Sequence, residues 1–446
     1  MAPEAPAGGD PRTVVDRLGP GTLLVWPGLG LFVLTLALSA TPAPTLSVDA
    51  DSESRETLVG SQGGGTGWHE HGSVYLLNGS AVGWRAQRAD SDSDVTRRPD
   101  GRVLAGFMDG GRQDCEPHDA PCARTGFQTL QSGPEPRVVD EYSFPVRSMK
   151  NSEVHDVEPL PGGGYLVTDM DQERIFAIED GEETWEWRAE SFYDAPEDPT
   201  RTDWLHINDV DRLGDGRYLV SVRNANQLVV VERGEGVVEV INEDRTDADD
   251  GACQVRGEQL RDYDGDGDIR CGDPDVLNHQ HNPQPLDEDA VLVADSDNDR
   301  VVELHREDGT WNVAWSLERA GGLDLKWPRD ADRLENGNTL ITDTLNRRIL
   351  EVNRSGRVVW SYQTQRIPYE ADRLPGGEPR SGPRYGGDGA GDSTGPVSPE
   401  SSPLAPVLIG MRAVAPWLPF WYGPVQLLAS LLSVGLVGAV LWLRRR

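Results

Sequence analysis

A repeated pattern of short strands is the feature that most restricts the fold of this 446-residue chain. Four apolar runs, separated by Gly, Asn or Asp turns, make up each fuller copy of the repeat. Fuller copies begin at His155, His206, His281 and Arg329, a weaker one begins at Asp94, and an incomplete one begins at Tyr369. Four such runs predict a four-stranded antiparallel sheet. Their recurrence at roughly 40 to 75 residues predicts a β-propeller.

The incomplete last copy indicates how the ring closes. It lacks its outer strands, and the runs beginning at Thr57 and Gly72 can supply them. We therefore predict an all-β fold in which residues 57–378 form a propeller of six four-stranded blades. Five blades are the alternative count, and a β-sandwich or a β-helix is the alternative fold.

Two uncharged, apolar stretches flank the repeats. Each is long enough for a membrane helix, which needs about 20 apolar residues. We expect transmembrane helices at 21–41 and 420–443, cytoplasmic ends at 1–20 and 444–446, and a flexible Gly/Pro/Ser-rich stalk at 379–412. This arrangement places the propeller outside the cell membrane. Alternatively, the first stretch is a signal peptide that is removed, and the second helix alone anchors the protein.

The net charge of −33 comes from 75 acidic and 42 basic residues. Such a charge repels phosphate and excludes a general role in nucleic-acid binding. Only two of the basic residues are lysines, Lys150 and Lys326. Few lysines together with abundant acid are typical of halophilic proteins, in which concentrated salt screens the self-repulsion. An ordinary acidic protein is the alternative interpretation.

The four cysteines form two pairs that are close in sequence, Cys115 with Cys122 and Cys253 with Cys271. Local pairs in loop-like sequence predict two disulfides and agree with an oxidising compartment. The second pair borders an acidic segment with the ligand spacing of a calcium loop. Its candidate ligands are Asp262, Asp264, Asp266, Asp268 and Asp273. The interpretations are a structural calcium site or a solvated acidic loop.

Equivalent positions of the repeat carry polar side chains that can converge. The residue five before the repeat's Leu is His155, Asn208, His281, Arg329 and Tyr369 in successive copies. The first strand of every blade lines the central channel, so these side chains are expected at one mouth of it. His206 and His279 lie two residues earlier and are expected on the same strand face.

Two of these segments resemble a known family. His206-Ile-Asn208 followed by Ser221-Val-Arg223 is similar to the His-x-Asn and Ser-x-Arg pattern of bacterial aryl sulfotransferases. Gln280-His281 resembles the Gln-His element of that family, whose His takes up the sulfuryl group. The resemblance spans about residues 57–374 and implies a six-bladed propeller enzyme outside the cytoplasm. It also implies that neither a nucleotide sulfate donor nor another catalytic cofactor is used.

The resemblance implies an aryl sulfate as donor, a phenol as acceptor and His281 as nucleophile. His206, Asn208 and Arg223 would hold the sulfuryl oxygens, and His155 would transfer protons. We expect Arg329, His279 and Tyr369 to contact the substrate. Two other functions remain open. One is a non-catalytic propeller that binds a cell-surface glycan or protein, and the other is a quinone-dependent dehydrogenase.

Overall fold

A computed structural model describes residues 55–63, 71–243, 260–265, 267, 269–385 and 422–445, together with the single residues 30, 33, 407 and 411. The chain divides into two units. One unit is Leu46–Ser398, and the other combines Met1–Thr45 with Pro399–Arg446.

The strands of Leu46–Ser398 are antiparallel to their sheet neighbours. An eight-stranded sheet contains Glu56–Gln62 (β1), Ser73–Asn78 (β2), Ala81–Ala86 (β3), Ser91–Arg97 (β4), Val103–Arg112 (β5), Cys122–Gln131 (β6), Arg137–Val146 (β7) and Ile367–Arg373 (β26). The next sheet contains Val157–Pro159 (β8), Tyr165–Asp169 (β9), Arg174–Glu179 (β10) and Glu182–Arg188 (β11). A third contains Ile207–Gly214 (β12), Arg217–Val222 (β13), Gln227–Glu232 (β14) and Gly236–Ile241 (β15).

Two further four-stranded sheets follow. The first contains His281–Asp287 (β16), Ala290–Asp295 (β17), Arg300–Glu307 (β18) and Thr310–Leu317 (β19). The second contains Pro328–Arg333 (β22), Thr339–Asp343 (β23), Arg348–Val352 (β24) and Val358–Gln363 (β25). Arg319–Ala320 (β20) and Leu323–Asp324 (β21) form a small hairpin between them. Short 3-10 helices occur at Ala189–Ser191, Pro199–Arg201 and Arg223–Ala225.

The sheets are arranged around a common centre. Strand β26 from the end of the domain pairs with β1 from its beginning, as the incomplete repeat predicts. Among the described residues, the strand pairing between the two halves of the eight-stranded sheet is limited to Gln62 and Ser91. A series of contacts between neighbouring strands then runs from β8 through β12, β16, β22 and β26 to β4. Strand β5, which pairs with β4, contacts β8 and closes the series. We call the space between these first strands the channel. The fold is all-β and β-propeller-like.

Burial follows the order of strands within each sheet. The second strand β17 is buried along its whole length, whereas the outer strand β11 is largely exposed. Continuous apolar runs are the pattern of strands that are covered on both faces. The core therefore lies between neighbouring sheets, as in the cluster that contains Trp187, Trp204 and Tyr218.

Recurring Arg–Asp pairs fix the hairpin between the second and third strands of three sheets. The salt-bridge distances are 2.8 Å for Arg174–Asp169, 2.6 Å for Arg300–Asp295 and 2.6 Å for Arg348–Asp343. Two of these carboxylates also accept a backbone N–H from the loop that leads to a first strand, from Asn278 to Asp295 and from Lys326 to Asp343. These two pairs thus link a hairpin to the loop beside it.

A second recurring Arg joins neighbouring sheets. Arg333 on β22 is completely buried and donates to Glu303 on β18 at 2.9 Å. Arg373 on β26 donates to Glu351 on β24 at 2.7 Å in the same manner. Because each bridge connects a first strand to the sheet before it, it stabilises the contact between two repeats.

We predict that Arg333→Met lowers the free energy of unfolding by about 3–5 kcal/mol, because it removes the guanidinium that balances the charge of the buried Glu303 carboxylate. Chemical denaturation followed by tryptophan fluorescence measures the change. The double variant Arg333→Met/Glu303→Met should regain much of the loss. Equal losses in the single and double variants would contradict a paired-charge origin.

The terminal unit contains one described helix, Pro424–Arg445 (α1). It overlaps the membrane helix expected at 420–443, whereas the one expected at 21–41 lies outside the described residues except for Gly30 and Val33. Among the described residues, no helix combines the length and the apolarity that a membrane span requires.

Residues 379–385, which the sequence places in the stalk, pack against the sheets. The side chain of Tyr385 is 3% exposed and lies edge-on to Trp315, with ring centroids 5.1 Å apart. The Arg333 guanidinium covers the face of the same Tyr385 ring at 3.2 Å. The boundary expected after residue 378 therefore lies inside a segment that contributes to the core.

The cysteine loop between β5 and β6 contains the Cys115–Cys122 disulfide. Cys271 is also disulfide-bonded, whereas Cys253 lies outside the described residues. Of the expected calcium ligands, Asp266 and Asp268 lie outside the described residues as well. The carboxylates of Asp262 and Asp264 come together with that of Asp194, which sequence reasoning did not include, and Asp273 is not part of this group.

Candidate functional site

A cavity of about 280 Å³ lies where several first strands begin. His155, His281 and Arg329, which the sequence places at equivalent positions of the repeat, all line this cavity. Its other lining residues are Gln62, Gly63, Ser91, Met108, Met149, Lys150, Glu153, Met170, His206, Arg223 and Trp327. Five of the eight residues predicted for catalysis or substrate binding thus share one cavity.

The loops that enter the first strands have a common backbone conformation. His206, His279 and Trp327 have φ values of 56°, 49° and 50° and lie two residues before Asn208, His281 and Arg329. Each donates its backbone N–H to a side chain of an earlier hairpin turn, which is Glu173 for His206, Asn226 for His279 and Asp299 for Trp327. These contacts stabilise a left-handed conformation that non-glycine residues rarely adopt.

The members of these pairs do not all reach the cavity. In the pair His206 and Asn208, only His206 lines it, and in the pair His279 and His281, only His281 does. Asn208 instead donates to the backbone carbonyl of Gln280 at 2.8 Å, and His279 pairs with Asp297 at 2.7 Å. A residue with positive φ interrupts the two-residue alternation of an extended strand, so side chains two residues apart need not share a face. In the third pair, Trp327 and Arg329 both line the cavity.

Hydrogen bonding determines the tautomer of His281. Its Nδ1 lies 2.8 Å from Ser296 Oγ and 3.1 Å from the carbonyl oxygen of His279. Ser296 donates its hydroxyl proton to the carbonyl oxygen of Pro328 at 2.6 Å, so towards His281 its oxygen accepts. Since a carbonyl oxygen also only accepts, Nδ1 carries the proton and Nε2 carries the lone pair.

Burial and neighbouring cations keep His281 neutral. Its side chain is 1% exposed, and burial lowers its pKa well below 6.5. The positive charges of Arg329 and Arg223 lower the pKa further. Burial is the larger cause because it disfavours the charged imidazolium. A neutral ring with a bare Nε2 is the form of histidine that acts as a nucleophile.

The second buried histidine, His155, lies between two aromatic rings. It stacks on His206 at a centroid distance of 5.0 Å and on Tyr369 at 5.4 Å. Among the described residues, neither ring nitrogen of His155 has a hydrogen-bond partner. Burial, followed by His206 and Arg329, lowers its pKa well below 6.5. His155 is therefore neutral and can accept a proton from a bound molecule.

Arg329 supplies a buried positive charge. Its guanidinium lies 4.2 Å from the Trp327 ring and 4.9 Å from the Tyr369 ring, and it donates to Gln62. Burial lowers its pKa to about 10, at which it is still charged at neutral pH. Arg223 lines the same cavity, so two guanidinium groups converge near His281. In a strongly acidic protein this is a local site for an anion, because guanidinium geometry matches tetrahedral oxyanions.

Sequence reasoning missed several residues of the cavity. Trp327 and Glu153 occupy the position two before Arg329 and His155, so the rule used for His206 and His279 would have found both. Glu153 accepts a hydrogen bond from Ser91 at 2.7 Å, and burial raises its pKa. Ser296 and Lys150 carry no signal in the repeat, because they reach the site through loops.

Comparison with protein families gives one match. Residues 141–317 match the arylsulfotransferase (ASST) family. This segment contains His155, His206, Arg223 and His281 and ends before Arg329. Comparison with curated proteins finds no match.

Solved structures give distant likenesses. A protein of unknown function from Bacteroides caccae is 13% identical, with 72% of this chain and 99% of that chain covered and a TM-score of 0.49. The periplasmic gluconolactonase of Pseudomonas aeruginosa is 13% identical, with 72% and 98% covered and a TM-score of 0.40. Virginiamycin B lyase from Staphylococcus aureus is 11% identical, with 70% and 88% covered and a TM-score of 0.38.

Identities and TM-scores this low support no inference about activity. The family match over residues 141–317 supports a relationship of this chain to the aryl sulfotransferase family.

Proposed function

We propose that the protein is an aryl sulfotransferase that carries the sulfuryl group on Nε2 of His281. The single observation that supports this most is the bare Nε2 of a neutral, buried histidine in a cavity with two arginines. The family match over residues 141–317 agrees with the same chemistry. The donor class is an aryl sulfate, and the acceptor class is a phenol.

In the first half-reaction, the Nε2 lone pair of His281 attacks the sulfur of the aryl sulfate. The new N–S bond forms as the S–O bond to the aryl group breaks, and the phenolate leaves with the electron pair of that bond. Arg223 and Arg329 hold the sulfuryl oxygens and balance their charge, while Lys150 adds a further positive charge at the cavity wall. Fixed charges in a water-poor site stabilise such a transition state at little reorganisation cost.

In the second half-reaction, the oxygen of an acceptor phenol attacks the same sulfur. His155 takes the phenol proton, the new S–O bond forms, and the N–S bond breaks to restore neutral His281. The lowered pKa of His155 suits proton acceptance better than donation to the first leaving group. Asn208 and Gln280 hold the strand of His281 rather than the substrate, because Asn208 donates to the Gln280 carbonyl.

The remaining parts of the proposal concern architecture and location. We infer six blades, because the eight-stranded sheet separates into two groups of four at the Gln62–Ser91 pair. The Cys115–Cys122 disulfide supports a site outside the cytoplasm. Attachment to the membrane, adaptation to salt and a calcium ion in the loop containing Asp262 stay predictions.

Incubation of the purified protein with a chromogenic aryl sulfate and a phenol acceptor tests the proposed function. We expect acceptor-dependent release of the chromophore, ping-pong kinetics and, without acceptor, a mass gain of one sulfuryl group. If a panel of aryl sulfates gives neither release nor labelling, the protein is not this enzyme. The alternative is then a non-catalytic propeller that binds a cell-surface glycan or protein.

The rate of His281 labelling should depend on pH only in the acidic range. Because the pKa of His281 lies well below 6.5, the nucleophile stays neutral from pH 8 down past 6.5, and the rate falls only at lower pH. Removing the charge of Arg329 by Arg329→Gln raises this pKa and moves the acidic limb towards higher pH. Normalised initial rates between pH 4 and 8 measure the limb, and an unshifted limb in the variant would contradict the assigned coupling.

A further inference from the structure

The first strands carry a second set of polar groups, deeper in the channel than the cavity. A carboxylic acid directly follows each of the first-strand residues His155, Asn208, Arg329 and Tyr369. These acids are Asp156, Asp209, Asp330 and Glu370. Three of these join neighbouring first strands by accepting a backbone N–H, from Val210 to Asp156, from Ala371 to Asp330 and from Val95 to Glu370. This inner ring of acids is therefore part of the fold.

Acids recur two residues further along the same strands, but within the described ranges these acids do not accept a backbone N–H from a neighbouring first strand. They are Glu158, Asp211, Asp332 and Asp372, all of them at most 5% exposed. Across the described part of the chain, Glu158 Oε1, Asp211 Oδ2 and Asp372 Oδ2 have no hydrogen-bond partner. A buried oxygen without a partner costs free energy unless a ligand, a proton or a water satisfies it.

A loop residue completes this group. Glu378 follows β26, and single carboxylate oxygens of Glu158, Asp211 and Glu378 all lie within 4.8 Å of one another. Glu378 is half-buried, so the group is accessible from solvent at this end of the channel. Along the strands, Glu158 and Asp211 lie three residues, or roughly 10 Å, beyond His155 and Asn208. They therefore do not belong to the cavity that contains His281, which is the proposed sulfuryl site.

Nearby positive side chains do not neutralise the group. Arg380 pairs with Glu158 Oε2 at 2.5 Å, but its side chain is 44% exposed, and Arg212 donates to the carbonyl oxygen of Pro159. Three carboxylates facing one arginine leave a negative charge that a bound cation would balance.

The chemistry of the donors selects the cation. All three are carboxylate oxygens, without histidine or cysteine, and such a set favours hard cations over zinc or copper. Calcium accepts six to eight oxygen ligands in flexible geometry, whereas magnesium requires a nearly ideal octahedron. We propose that Glu158, Asp211 and Glu378 bind a calcium ion that closes the end of the channel opposite the sulfuryl site and stabilises the ring of sheets.

The test uses the full chain after removal of divalent cations by a chelator. Calcium binding is measured by isothermal titration calorimetry, and stability is measured by thermal unfolding with and without calcium at constant ionic strength. We expect calcium to raise the melting temperature by several degrees, roughly the shift that ligand linkage gives at a hundredfold excess over Kd.

Asp211→Asn and Glu378→Gln should behave unlike ordinary destabilising changes. Each removes one charge from the group, so each should raise the melting temperature of the calcium-free protein and abolish its response to calcium. Exposed Glu288→Gln is the matched control and should leave both quantities unchanged. Since Glu378 lies on a half-buried loop, its variant tests the site even if Asp211→Asn does not fold.

A second variant separates this site from the acidic loop. Asp262→Asn/Asp264→Asn removes two candidate ligands of that loop and should leave the calcium response of the channel intact. Loss of the response in this loop variant, with retention in Glu378→Gln, would overturn the proposal. So would the absence of calcium binding together with an infrared band of protonated carboxyl groups, because protons would then satisfy the group.

Discussion

His281→Ala should abolish both the sulfuryl mass gain and acceptor-dependent turnover. Removal of a nucleophile eliminates the covalent route, and the loss of rate should be about 10³-fold or more. The Nδ1–H of His281 donates to Ser296, so alanine also removes a hydrogen bond that orients the ring. The measurement is intact mass after incubation with donor alone, together with chromophore release in the presence of acceptor.

Two other histidine variants show whether His281 has this role alone. His155→Ala should still gain one sulfuryl group from an activated donor, but transfer to the phenol should slow by roughly 10²-fold or more. His71, which lies at the surface and pairs with Asp90 at 3.3 Å, is the control, and His71→Ala should be labelled like the parent. Labelling that persists in His281→Ala and disappears in His155→Ala would reverse the two assignments.

Arg329→Gln should reduce kcat/KM for an aryl sulfate by about 10²–10³-fold, the usual effect of removing one charged group that stabilises a transition state. The guanidinium is buried between Trp327 and Tyr369, so bulk solvent does not replace its charge. Steady-state kinetics with one donor at several acceptor concentrations measures the loss. In the proposed mechanism Arg329 contacts the sulfuryl group in the bound donor and in the transition state, so both kcat and KM should change.

Arg329→Lys separates charge from shape. Lysine keeps the positive charge but loses the planar fork and its stacking on the two rings, so an intermediate loss of activity is expected. Arg347 is also buried but does not line the cavity, and Arg347→Gln is the control. If Arg347→Gln lowers kcat/KM as much as Arg329→Gln, the effect comes from stability rather than from substrate contact.

Much of the fold could be predicted from the repeat, because hydrophobic periodicity and turn residues are local properties. The pairing of β26 with β1 follows from an incomplete last copy, and the convergence of His155, His281 and Arg329 follows from their equivalent positions. The Cys115–Cys122 disulfide follows from proximity in sequence. In each case, a short stretch of sequence contains the deciding information.

The orientation of individual side chains depended on the tertiary structure. His206 and Trp327 line the cavity, whereas Asn208 donates to the carbonyl oxygen of Gln280, and both His206 and Trp327 have positive φ before the first strands. The hydrogen bonds that hold this backbone come from Glu173 and Asp299, which lie in earlier turns of the chain. No local sequence pattern indicates a contact between residues so far apart in the chain.

The sequence alone determined a ring of repeats with chemically active side chains at equivalent positions. Only the tertiary structure decided that His281 carries its proton on Nδ1, because the deciding acceptor, Ser296, is itself fixed by the Pro328 carbonyl of another sheet. Likewise, only the fold brings Glu378 to Glu158 and Asp211, which are far apart in sequence. Charge and hydrogen bonding act through space, and their partners become known only when the ring is closed.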